Sequence, residues 1–163
     1  MTVIPREALI RMKAVSILKR YKVERPPVPL YNIVKSEGIE VLYLFDGPDL
    51  GPGVTIRKPD GKYEIYINIS GCEKQDNWNL AIQYGHISLG HFRLFTVDTL
   101  TSDKLKPEER QTLNRESEIF AQEILAPDYL LRPLVKKESA EQLSDMFQIP
   151  VNKLYYLAGF KKN

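Results

Sequence analysis

His86 and His91 are the only histidines among 163 residues, so any imidazole chemistry, whether metal ligation or proton transfer, has to pass through them. On a straight helix an i, i+5 pair stands roughly 140° apart at about 100° per residue, so the two cannot ligate one ion from the same helix face. The position that would share a face with His86 lies four residues back. It is Ile82, which has no donor atom, and its neighbour Gln83 offers an amide where proton transfer would need a titratable carboxylate. Glu116 sits beside Phe120 at the edge of an apolar stripe, where a carboxylate is costly unless paired. A polar partner such as His86 is therefore expected. His86 reads either as a core histidine bonded to Glu116 or as part of a partial metal site. His91, just past a helix stop, reads as a capping or surface residue, and Cys72 as an inert thiol.

The chain that must position these groups has the composition of an ordinary globular protein, with 43% hydrophobic and 27% charged residues. Twenty-three basic against 21 acidic residues leave a net charge of +2, too weak a bias for a nucleic-acid coat or a membrane-surface patch. A single cysteine excludes an intramolecular disulfide and a Cys-built zinc site, and fits a reducing, cytoplasmic setting. Arg6, Glu7, Arg11 and Lys13 interrupt any secretory leader. The longest run free of charged residues, Asn77 to Phe92, falls short of the roughly 20 apolar residues that span a bilayer. No membrane association is expected.

Periodicity predicts the elements. Ile10, Ala14, Ile17, Leu18 and Tyr21 form one stripe of a helix from Pro5 to Tyr21, with Pro5 in its first turn and Arg6, Lys13 and Arg20 outward. A short helix from Leu30 to Glu37 follows the prolines at 26, 27 and 29. Alternation then predicts strands at Val41–Phe45, Val54–Arg57 and Tyr63–Ile69, read as a β-meander. After a loop from Ser70 to Asp76, a helix carries Trp78, Ile82, Gly85 and Leu89 on one face and stops at Gly90. A longer helix runs from Pro107 to Leu125, and a turn of helix covers Tyr129 to Leu134. Ser139 with Gln142 makes a capping box for a further helix, and Val151 to Ala158 forms the last, closed by Gly159.

Two blocks resemble a known family. Asn77-Trp78-Asn79-Leu80-Ala81-Ile82-Gln83-Tyr84-Gly85-His86, followed by Leu89-Gly90-His91, resembles the Ala-His-Glu-Leu-Gly-His helix of the ImmA/IrrE-type zinc metallopeptidases. Glu116-Ser117-Glu118-Ile119-Phe120-Ala121-Gln122-Glu123-Ile124-Leu125-Ala126-Pro127 is similar to the family's Glu-Ala-Asn-x-Phe-Ala-x-Glu-Leu-Leu-x-Pro block, whose first Glu is the third zinc ligand. The resemblance implies an α+β, zincin-like fold with a small, mostly antiparallel sheet, two site helices and a C-terminal helical hairpin. It implies a metallopeptidase-type domain over 1–135 and a helix-turn-helix-like hairpin over 136–163.

Carried over position by position, the family's first ligand His is Ile82, its general base is Gln83, its second His is His86, and its ligand Glu is Glu116. A family Arg before the metal helix is Asn77, a change expected to weaken a contact near the site. A catalytic zinc needs three protein ligands plus an open position, and loss of a positioned general base alone costs about 10²–10⁴ in rate. The expectation is a degenerate His-Glu-x-x-His motif and an inactive peptidase, with no cofactor, or zinc if any metal binds.

The resemblance also implies a cytoplasmic, prophage or mobile-element regulator of transcription whose active relatives cleave helix-turn-helix repressors. Here the partner would be a repressor-type protein bound without cutting, by β-augmentation on the strand of Tyr63, Ile65 and Ile67. One alternative is DNA binding through Leu143 to Tyr155, near Lys136, Lys137, Lys153, Lys161 and Lys162, although Tyr155, Tyr156 and Phe160 suit packing better than a groove. Another is an active zinc endopeptidase with non-standard ligands, with a carboxylate such as Glu123 swinging in.

Overall fold

The computed structural model describes residues 6–47, 51–94, 98–100 and 105–157. Pro5, Ala158, Gly159, Phe160, Lys161 and Lys162 lie outside them, as do the side chains of Tyr155 and Tyr156. Helix α1 (Arg6–Arg20) buries the stripe its periodicity predicted, Ile10, Ala14, Ile17 and Leu18. Helix α2 (Leu30–Ser36) starts directly after Pro29 and buries Leu30, Ile33 and Val34.

Strands β1 (Glu40–Leu44), β2 (Gly53–Arg57) and β3 (Tyr63–Asn68) form one sheet in the order β1-β3-β2. β2 and β3 are an antiparallel hairpin, while β1 runs parallel to β3 with Val41 opposite Ile65 and Tyr43 opposite Ile67. The sheet is therefore mixed, and the expected meander is not formed. Central β3 carries Ile65 and Ile67 on one face, both 0% exposed, so that face is covered by the core. The same order corrects the expected peptide-binding role of Tyr63, Ile65 and Ile67. A central strand has neighbours along both edges and no free ladder to offer.

Helix α3 (Glu73–Ser88) starts within the segment read as a loop. Glu73 and Asp76 place negative charge in its first turn, and Asp76 accepts the backbone N–H of Ser70 at 2.9 Å, fixing the start of the helix there. A short helix α4 (His91–Leu94) follows, then α5 (Pro107–Leu125) and α6 (Asp128–Leu131). Gly85 lets α3 and α5 approach closely, since a Cβ there would meet Phe120 Cδ1 at 3.1 Å and Ser117 Cα at 3.4 Å.

Helices α7 (Ala140–Phe147) and α8 (Val151–Leu157) close the chain. The predicted capping box is present, Ser139 Oγ accepting from Gln142 N at 3.1 Å and Gln142 Oε1 accepting from Ser139 N at 2.7 Å. Leu143, Phe147, Ile149 and Leu154 join the main hydrophobic core. Four contacts fasten this hairpin to α3: Lys74 to Asp145, Lys74 Nζ donating to Ser144 Oγ at 3.0 Å, Asn77 Nδ2 donating to Gln148 O at 2.8 Å, and the Lys153 ammonium over the Trp78 ring at 4.8 Å. Asn77 thus makes a tie between elements, where the sequence suggested a weakened contact. No described helix is long and apolar enough to cross a membrane.

Candidate functional site

The four positions of interest lie on α3 and α5, and α1 supplies an unexpected fifth. Gln83 leaves α3 toward β2, where the Thr55 hydroxyl donates to Gln83 Oε1 at 2.8 Å and Gln83 Nε2 donates to the Gly53 carbonyl at 3.2 Å. Both ends of the amide are used. A carboxylate could accept from Thr55 but has no hydrogen for Gly53, so Gln is the residue this pair of partners requires. Gly53 is itself constrained, because a Cβ would sit 3.0 Å from Ile67 Cδ1 and from the Tyr66 carbonyl. Ile82 packs half-buried against the hydrophobic core.

His86 is buried on the α5 side of α3. Its Nδ1 lies 2.8 Å from His91 Nδ1 and 3.0 Å from Ser117 Oγ. His91 Nε2 lies 2.9 Å from Glu116 Oε2. His86 and Glu116 are therefore joined, but through His91. That residue is 0% exposed, which corrects its reading as a capping or surface group. The network assigns the protons. Glu116 faces His91 Nε2 as a carboxylate, so Nε2–H donates and His91 Nδ1 is the acceptor. His86 Nδ1–H then donates, shared between His91 Nδ1 and Ser117 Oγ, and the lone pair of His86 Nε2 stays free of a proton.

Glu116 is held from the other side by Arg6, whose Nε donates to Oε1 at 2.9 Å and whose Nη2 donates to Oε2 at 3.0 Å. This two-pronged pair is the arrangement in which a guanidinium binds a carboxylate most specifically. Arg6 and, secondarily, His91 hold the Glu116 carboxyl below its ordinary range, against the opposing effect of burial. Burial, with the neighbouring His91, pushes the His86 imidazole down to about 3. His91 is also pushed down by burial, partly offset by Glu116. Both rings are neutral at pH 7. Glu123, the candidate substitute ligand, is occupied as well: its Oε2 accepts from Arg11 at 3.1 Å and its Oε1 from the backbone N–H of Asp128 at 3.3 Å.

The sequence profile of the IrrE N-terminal-like domain matches residues 34–156. The chain belongs to this family. A Mycobacterium tuberculosis transcriptional regulator of known structure is similar to this IrrE-like chain over 91% of the chain, with a TM-score of 0.64 and 18% identity. The chain spans only 45% of that protein, and at this identity the likeness is one of fold. No curated protein matches the sequence.

In the IrrE-like frame the residues present do not fit a catalytic zinc. Among the described residues no three His, Cys, Asp or Glu side chains converge as an ion would need. The family's positions hold one imidazole nitrogen, an isoleucine, and a carboxylate already bonded to a guanidinium and a second histidine.

Sequence reasoning missed Arg6, His91, Ser117 and Thr55. For Ser117 a signal existed: Leu113, Ser117, Phe120 and Ile124 share one helical stripe, and a serine amid three buried apolar residues implies a polar partner. Arg6 carries no such signal, being 110 residues from Glu116.

Proposed function

We propose that this IrrE-like protein is a regulator of the metallopeptidase fold that works by binding a protein partner without cutting it. The observation that carries this reading is Gln83. Its amide stands where the family's general base stands and is engaged at both ends by β2, so this position offers no carboxylate to take a proton from water. Ile82 and the Arg6-bound Glu116 support it from the ligand side. Family membership and the fold of a transcriptional regulator support a role in transcriptional control. The partner class is a helix-turn-helix repressor-type protein, met in the cytoplasm. DNA binding through α7 and α8 is the weaker reading, since Lys153 is stacked on Trp78.

The test combines elemental analysis with a cleavage assay. The protein purified without added metal should contain far less than one zinc per chain and leave repressor-type proteins intact. A full equivalent of zinc together with chelator-sensitive cleavage would overturn the reading. The double change Ile82→His and Gln83→Glu should raise zinc content toward one per chain.

A further inference from the structure

A cavity of about 510 Å³ opens where α1, the C-terminal ends of α2 and α3, the β2–β3 turn and α4 meet. Its volume lies in the range of small-molecule sites. Its lining divides by burial. Ile17, Ile39 and Tyr84 are buried and Ile87 is half-buried, forming an apolar inner wall, while Lys13, Arg20, Lys62 and Arg93 are exposed at the rim.

The charges do not cancel. Glu37, the only acidic residue of the lining among the described residues, pairs with Arg20 and accepts from the Tyr84 hydroxyl at 3.1 Å. Lys13, Lys62 and Arg93 have no acidic partner among the described residues. Complementing helix dipoles would be an alternative reason for cations here, since α2 and α3 both end at the cavity. Each C-terminus is equivalent to roughly half a negative charge, so the two offset about one of the three cations. A surplus of about two positive charges remains, contributed by three separate elements, in a chain whose total is +2.

We propose that this cavity binds a small phosphate ester, with the phosphate held by Lys13, Lys62 and Arg93 and an apolar body lying against Ile17, Ile39 and Ile87. A phosphate carries close to two charges and several acceptor oxygens, which matches the surplus. A lone carboxylate would leave part of it unneutralised. The inference is independent of zinc and of the regulator reading.

Adenosine diphosphate and inorganic pyrophosphate serve as probes, titrated into the full chain at low salt and followed by calorimetry and by NMR shifts. Saturable one-to-one binding is expected, with the largest shifts at Ile17, Ile39, Ile87 and Tyr63. Adenosine diphosphate should bind several-fold tighter than pyrophosphate because only it reaches the apolar wall. Lys62→Glu and Arg93→Glu should each weaken binding at least tenfold, whereas Lys19→Glu, elsewhere on α1, should leave it unchanged. The first two residues are exposed, and thermal melts confirm folding, with Lys62→Ala and Arg93→Ala as replacements where reversal fails. Equal losses in all three variants would overturn the site in favour of diffuse charge attraction. Equal affinity for both probes, or shifts produced only by a hexaglutamate peptide, would also overturn the proposal.

Discussion

His91 Nε2 lies 2.9 Å from Glu116 Oε2, so the histidine beyond the end of α3, and not His86, takes the carboxylate of α5. His86 stands one step back, donating to His91. The line from Ser117 through both imidazoles and Glu116 to Arg6 crosses from α5 to α3, returns, and ends on α1. It has the form of a structural clasp in which each polar group satisfies the next.

This order has a spectroscopic signature. At pH 7, nitrogen-15 NMR should find His86 as the Nδ1–H tautomer and His91 as the Nε2–H tautomer. His91→Phe would keep the ring volume but leave Glu116 and His86 each short of a partner. It should destabilise the fold by about 1–3 kcal/mol in chemical denaturation. A neutral His91→Phe would show that the clasp contributes nothing.

Stability should fall in mild acid. His86 titrates at about 3 when folded and near 6.5 when free, so between those values the unfolded chain binds the extra proton. Stability from this group is complete above pH 6.5 and declines as pH drops toward 3, at up to about 1.4 kcal/mol per pH unit. His91 shifts in the same direction and steepens the decline. Glu116, also lowered, adds its own loss below about 4.5. Urea denaturation at successive pH values checks this, and a flat profile from pH 7 to 5 would contradict it.

Gln83→Glu alone should cost about 1–3 kcal/mol at neutral pH, because the Gly53 carbonyl loses its donor and faces a carboxylate instead. Below the pKa of the new carboxyl its O–H can donate to Gly53, so the deficit relative to the parent should shrink in acid. A deficit that grows in acid would count against the amide's role.

Arg6→Ala should cost at most about 1 kcal/mol, since Arg6 is 53% exposed and its pair is screened by water. Its larger effect belongs to metal binding. Added to Ile82→His and Gln83→Glu, it releases Glu116 and should tighten zinc binding several-fold over the double variant, as measured by competition with a chromophoric chelator. Equal affinity would mean that Arg6 does not compete for the carboxylate.

The features legible in the sequence were local ones. Ser139 and Gln142 announce the start of α7 because a capping box is written within four residues, and the Glu116 to Pro127 run marks α5 by its own pattern. The strand order was not legible in this way, because β1 reaches β3 across the whole of β2, and alternation reports which residues are buried without naming the neighbour. Gln83 could be read as the loss of a base, but its bonds to Thr55 and Gly53 depend on how closely β2 approaches α3. His91 misled because a residue after a helix stop is usually solvated, whereas here the chain folds back into α4 and buries it.

The strap from Gln83 to β2 makes the two altered positions of α3 interdependent. Glu at 83 without His at 82 forfeits the bond to Gly53 and gains no ion. His at 82 without Glu at 83 sets an imidazole beside the core and still yields no working base. On the proposed reading each single step costs a contact without restoring the chemistry, whereas the paired change restores ligand and base together and release of Glu116 from Arg6 strengthens it. On that reading, return of the chemistry is opposed by the same hydrogen bonds that fasten the sheet to α3.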